Sequence, residues 1–346
     1  APSFHWDDGE GLFIGGQFWD GRATGEVLGD PLADQALGPF LNPVEMANPL
    51  KRTVINSVKQ SDYAEKFEEV WPDISFKDTE AAYDAVALSI AAFERTEIFG
   101  EFSSEYDEYL QACLAHAADY DKDDCARGQA GVESDWVPAY FSAEAWQGFQ
   151  LFMNETNDNE DPRLADEGAA CVLCHVADWP EDPGNVVVPT WAPEGFIPPV
   201  FTDFSYDNLG VPKNWDNPFL YMPPNLNPDG ADFVDHGLAG FLVDRPDLWP
   251  DPPPEGWDVA GEDGKFKVMT LRNIGLTAPY AHNGFFAGPE ALKTITHFYN
   301  TRDVDGAGWD DPEVPETINV DELGNLGLTD AEENALVAFM MMLSDK

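Results

Sequence analysis

The sequence predicts a mostly α-helical fold carrying long irregular loops. Three observations predict it. Apolar residues recur every three to five positions through Pro49–Phe99, capping residues stand ahead of two later apolar runs, and residues 178–265 hold so much Pro, Gly, Asp and Trp that few regular elements fit there.

Taken in order, residues 1–50 are rich in Gly, Pro and aromatics with little period, and read as ordered loop broken by short turns. The pattern then turns helical. Val54 and Val58, next Tyr63, Phe67 and Val70, then Tyr83, Val86, Ala87, Ile90 and Phe93 mark successive apolar faces, with Thr79-Glu80 as a helix start before an Ala-rich run. Residues 104–135 form an acidic insert. Its Asp119, Asp121 and Asp123 alternate as in a calcium loop, but the Gly and closing Glu of an EF-hand are missing, so the default is a solvated segment. Ser142 is placed to cap a helix from Ala143 to Phe152. The irregular stretch 178–265 is tolerable where it wraps a large bound group. Two helices finish the chain. One lies near Pro289–Asn300 with Leu292, Ile295 and Tyr299 on one face; the other runs from Thr329, with Glu332 in capping-box position, to Leu343.

Composition bounds the function. The chain has 346 residues, 43% of them apolar, with eleven Trp and 23 Phe, enough to bury the cores of two ordinary domains. Its 65 Asp and Glu against 18 Lys and Arg give a net charge of −47. That excludes nucleic acid as a partner and argues against anionic membrane surfaces. The acidity reads either as a solvated surface suited to salty surroundings or as a docking face for a basic protein. No run of 18 apolar residues offers a membrane span, and the opening Ala1-Pro2-Ser3 reads as the start of a mature or trimmed chain.

The cysteines carry the chemistry. Cys171-Val172-Leu173-Cys174-His175 is CxxCH, the spacing that lets two thiols add across the vinyl groups of a haem while the next imidazole reaches the iron. A zinc site would want two more thiols or histidines close by, and the nearest cysteine in sequence is Cys125. Cys113 and Cys125, twelve positions apart, are placed for a disulfide, the alternative being two unpaired thiols. Covalent haem and a disulfide both imply an oxidising compartment, periplasmic or extracellular.

Several blocks around this motif resemble the bacterial dihaem cytochrome c peroxidase and MauG family. They are Phe18-Trp19-Asp20-Gly21-Arg22, Gln35-Ala36-Leu37-Gly38-Pro39, Asn42-Pro43-Val44-Glu45-Met46, the run Leu271 to Gly284, and Phe298-Tyr299-Asn300-Thr301-Arg302-Asp303. They stand in family order and cover nearly the whole chain. The resemblance implies cytochrome c-like haem domains with long irregular loops: residues 1–140 as the remainder of an N-terminal peroxidase-like domain, 141–316 as the C-terminal haem domain, and a last helix within 317–346 packing back on the first. The family has a CxxCH in each domain, and this sequence has only the second. A first motif is expected upstream of Ala1, or on another chain.

The resemblance also implies roles. Trp19 matches the tryptophan between the two haems that relays electrons, where the residue alone reads as one of eleven core Trp. Glu45 matches the acid–base glutamate of the first haem's peroxide pocket; on its own it reads as a helix-entry Glu. Tyr299 falls where the family places the sixth ligand of the attached haem. Met there would raise the potential, and a phenolate would stabilise higher oxidation states of the iron. His297 would point elsewhere on the helix, and Met340-Met341-Met342 reads as helix core. Thr277 and Pro279 match positions whose carbonyls hold a calcium ion between the domains. Arg272 and His282 are expected at the haem edge, His282 equally reading as a structural residue.

Two functions follow. One is a peroxidase-like enzyme that reduces hydrogen peroxide or uses it to oxidise a partner, with a small cytochrome or cupredoxin as redox partner. The other is a non-enzymatic electron-transfer cytochrome module, as a homodimer or within a larger cytochrome assembly.

Overall fold

The computed structural model describes residues 1–96, 98–115, 122–128, 137–154, 168–177, 189–192 and 196–346. The side chains of Asp119, Asp121 and Asp123, and His116, lie outside the described residues. The fold is mostly helical, as expected. Among the described residues the helices are α1 Pro31–Leu37, α2 Lys51–Gln60, α3 Ala64–Val70, α4 Thr79–Glu94, α5 Glu105–Ala115, α6 Lys122–Ala126, α7 Ala143–Met153, α8 Gly237–Leu242, α9 Ala291–Thr301 and α10 Asp330–Met341. Two antiparallel pairs of very short strands join loops: β1 His5–Asp7 with β2 Leu12–Ile14, and β3 Tyr206–Asp207 with β4 Phe266–Lys267.

The caps act as their residue types dictate. The Ser142 hydroxyl accepts from the Ala145 amide at the start of α7, and Thr329 with Glu332 forms a complete capping box on α10. At α4 the cap is Asp78, one residue earlier than the Thr79 start, because its carboxylate reaches the Ala81 amide. The segment read as loop contains α1, which Asp30 caps through the Leu32 amide and Pro31 opens at a position needing no N–H. Cys113 and Cys125 form the expected disulfide and sit wholly buried.

The largest core cluster joins α5, α7 and α10 through Tyr106, Tyr109, Phe149, Phe152, Phe201 and Phe339, whose rings stack edge-to-face. The last helix lies mainly on α7 and also meets residues 103–108, where the Tyr106 amide donates to the Met342 carbonyl. A second cluster, Phe286, Phe298, Leu292 and Val211, gathers around α9. Val54, Ile55, Ala82 and Tyr83 form a separate core between α2 and α4. The loops between the first two clusters enclose the site.

Gly148 fixes the α7–α10 approach. A Cβ there would sit 1.8 Å from the Ala335 carbonyl oxygen, which is backbone and cannot swing away. Gly148→Val is expected to cost about 1–3 kcal/mol or more through overpacking, read as a lower urea midpoint; an unchanged midpoint would show that the helices are free to separate.

A candidate haem site

Cys171–Leu173 form one 3-10 turn, in which side chains three apart eclipse, so the CxxC spacing puts both sulfurs on one side. The His175 amide closes the turn onto the Cys171 carbonyl at 2.9 Å. The His175 Nδ1 lies 3.0 Å from the Phe201 carbonyl, which can only accept; Nδ1 therefore carries the proton and Nε2 keeps its lone pair. Burial pulls the His175 pKa down, which holds the ring neutral, the form a metal ligand needs.

The turn opens on an apolar cavity of about 410 Å³, within the ~300–1,000 Å³ of cofactor sites. Trp19, Cys171, Cys174, His175, Arg272, Thr277, Pro279, His282 and Tyr299 all border it. So do Leu292 and Ile295, the two residues expected to share a face of α9 with Tyr299. Glu45 does not border it; its carboxylate lies on the surface and accepts from the Asn42 side-chain amide at 2.8 Å. His297 turns away and pairs with Glu333 at 2.8 Å.

The electrostatics disfavour a thiolate metal site by holding both thiols neutral. Burial pushes Cys171 up to about 12 and raises Cys174 too, where Glu322 and Asp207 add repulsion. Burial likewise raises the Tyr299 phenol, with the Asp207 carboxylate adding to it. Sequence reasoning missed these carboxylates. Cys174, Asp207 and Glu322 have ligand atoms within 4.8 Å of one another, and the Asn319 amide bridges the two acids at 2.6 and 2.7 Å. A sulfur committed to a thioether leaves that trio without its soft ligand.

Two buried polar atoms on the cavity lining lack hydrogen-bond partners among the described residues, Arg272 Nη2 and His282 Nε2. His282 stacks flat on Phe266 at 3.5 Å, with Glu313 4.0 Å from its Nε2. Arg272 spends Nη1 on Asp107 at 2.9 Å and Nε on the Pro199 carbonyl at 2.7 Å, and its guanidinium lies near the rings of Phe102, Tyr106 and Phe201. Two adjacent thiols, an imidazole with a free Nε2, apolar walls and two buried nitrogens without partners fit a haem with its two propionates.

Residues 8–113 match the profile of the di-haem cytochrome c peroxidases. The whole chain is 32% identical to the methylamine utilization protein MauG of Paracoccus denitrificans, covering 72% of it. The chain belongs to the dihaem cytochrome c peroxidase and MauG family. It is also 27% identical, over 81% of its length, to the cytochrome c551 peroxidase of Nitrosomonas europaea, of which it covers 54%, about half. The diheme peroxidase BthA of Burkholderia thailandensis shares its fold, with a TM-score of 0.64 over 96% of this chain and 67% of that one, at 22% identity. Membership brings haem c as the cofactor and haem peroxidase chemistry as the type of oxidoreductase activity. No helix among the described residues is long and apolar enough to cross a membrane.

The Arg272–Asp107 pair ties the cavity wall to α5, and Asp107 is wholly buried. Arg272→Met is expected to destabilise the protein by about 3–5 kcal/mol, because it strands a buried carboxylate. Adding Asp107→Leu is expected to restore most of that loss in thermal denaturation; equal stability of all three proteins would refute the pairing.

Proposed function

We propose that this chain is the larger part of a dihaem peroxidase of the periplasm or extracellular space, reducing hydrogen peroxide to water or using it to oxidise a protein partner. The observation that carries the reading is the convergence on one cavity of the CxxCH turn, Tyr299 and Trp19. Haem, when bound, supplies the one-electron couple and the centre at which the peroxide O–O bond is cleaved.

The chain's own residues have distinct tasks. Cys171 and Cys174 would anchor a haem, and His175 would offer Nε2 to its iron. Tyr299 faces the same cavity from α9 and is the candidate sixth ligand. With His175 and Tyr299 both holding the iron, a haem bound here would supply electron exchange, and the peroxide reaction would need a second haem, upstream or on another chain. Trp19, which borders the cavity and is 39% exposed, is the relay between them. Glu45, outside the cavity, is the acid–base residue of the second site: it takes a proton from one peroxide oxygen and returns it to the departing one, so that two electrons and two protons yield two waters. Support for that second site comes from apolar side chains left exposed between residues 44 and 99, Val44, Met46, Leu50, Phe93, Ile98 and Phe99. The carbonyls of Thr277 and Pro279 are candidate ligands for calcium between the domains. A net charge of −47 favours a basic electron donor, drawn in by long-range attraction.

The test pairs two variants of the two-haem protein. Glu45→Gln is expected to slow peroxide consumption by ~10²–10⁴-fold with haem spectra unchanged. Tyr299→Phe is expected to shift the Soret and EPR signature of one haem toward five-coordination. A two-haem preparation inert to peroxide, both fully oxidised and half-reduced, would leave the chain an electron carrier.

A further inference from the structure

Lys267 is out of place. It belongs to β4, is only 5% exposed and borders the haem cavity. Most other described lysines with buried or half-buried ammonium groups hold a carboxylate: Lys213 with Glu313, Lys265 with Glu262, Lys293 with Asp330 and Glu333. No described carboxylate pairs with Lys267, although acidic residues outnumber basic ones 65 to 18. Its Nζ donates to the Gly15 carbonyl at 2.6 Å and lies 5.1 Å from the Tyr206 ring centroid. The Tyr206 hydroxyl donates to that same carbonyl at 2.5 Å. An ammonium has three donors, and among the described residues one is used.

A buried, unpaired ammonium is costly, and burial pulls this one down to about 7, with Asp203 the only nearby charge that opposes the shift. Lys267 also lines the cavity, where an anion would supply the partner. Arg272 and His282 also border the cavity, but Arg272 is already neutralised by Asp107 and His282 has Glu313 close by. Of the three, Lys267 has no carboxylate at ion-pair distance among the described residues, Asp203 acting on it only from farther away.

Resting on the haem reading above, we infer that Lys267 forms an ion pair with a haem propionate and so positions it against Trp19. The second half follows from the backbone. The Lys267 amide donates to the Trp19 carbonyl at 2.8 Å, while its side chain holds Gly15, four residues before that tryptophan. One residue thus grips the Trp19 loop at two points, and its ammonium is left to meet a carboxylate of the porphyrin. Lys267 is a positioning residue: it touches no reacting atom, but it sets how the haem edge meets the tryptophan and adds a positive charge that favours the reduced, more negative haem.

The full holoprotein and its Lys267→Gln and Lys267→Arg variants test this by spectroelectrochemistry and resonance Raman. In Lys267→Gln the redox equilibrium of the His175-bound haem is expected to shift about tenfold toward the ferric form, about 59 mV for one electron. Lys267→Arg is expected to keep the potential close to wild type. The propionate-bending band is expected to move in both, since an amide loses the charge and a guanidinium pairs in two-pronged fashion. If Lys267→Gln does not accumulate, the band in Lys267→Arg decides alone. An unmoved band in either folded variant overturns the inference. Wild-type protein lacking covalent haem at Cys171 and Cys174 would instead sink the functional reading, so the two failures are distinct.

Discussion

The rest of the structure depends on one constraint: a large apolar cavity lies where the two main core clusters meet, and something must fill it. If it were dry and empty at about 24 cal/mol per Å³, its 410 Å³ would cost on the order of 10 kcal/mol, as much as the whole net stability of many domains. Helices α7, α9 and α10 give it walls, and the loops after residue 196 close it. Those loops have little regular structure, and their Leu209, Val211, Val268 and Leu271 line the cavity.

Polar groups follow the same logic of compensation. Among the described residues four buried carboxylates are satisfied: Asp34 by the amides of Gly25, Val27 and Leu28, Asp107 by Arg272 and Ser104, Glu262 by Lys265 and Trp257, and Glu333 by Lys293, His297 and Asn300. The remaining acidity is solvated and sets the field a partner meets. Against that background the unsatisfied atoms are informative. Arg272 Nη2 and His282 Nε2 are buried without partners among the described residues, and both residues border the same cavity as Lys267.

Much of this was legible in the sequence because the signals are local. Ser142 and the Thr329–Glu332 box marked two helix starts, the CxxCH spacing marked the turn that faces both sulfurs one way, and Leu292, Ile295 and Tyr299 marked the α9 face. What escaped reading depends on long-range encounter or on mixed signals. Asn319 meets Asp207 across 112 positions and Arg272 meets Asp107 across 165. Lys267 looks like any charged residue in a loop until the fold buries it. Helix α1 escaped because Gly and Pro crowd its flanks, although Asp30 and Pro31 are a sound local start.

The central claim is that Cys171 and Cys174 are thioether-linked to one porphyrin whose iron faces His175. The most direct measurement is the mass of the proteolytic peptide spanning Cys171–His175, taken from native protein after denaturation and acid extraction. The peptide is expected to be heavier by one haem, to absorb in the Soret band and to resist alkylation at both sulfurs. A peptide of unmodified mass, with both thiols open to iodoacetamide, would contradict it.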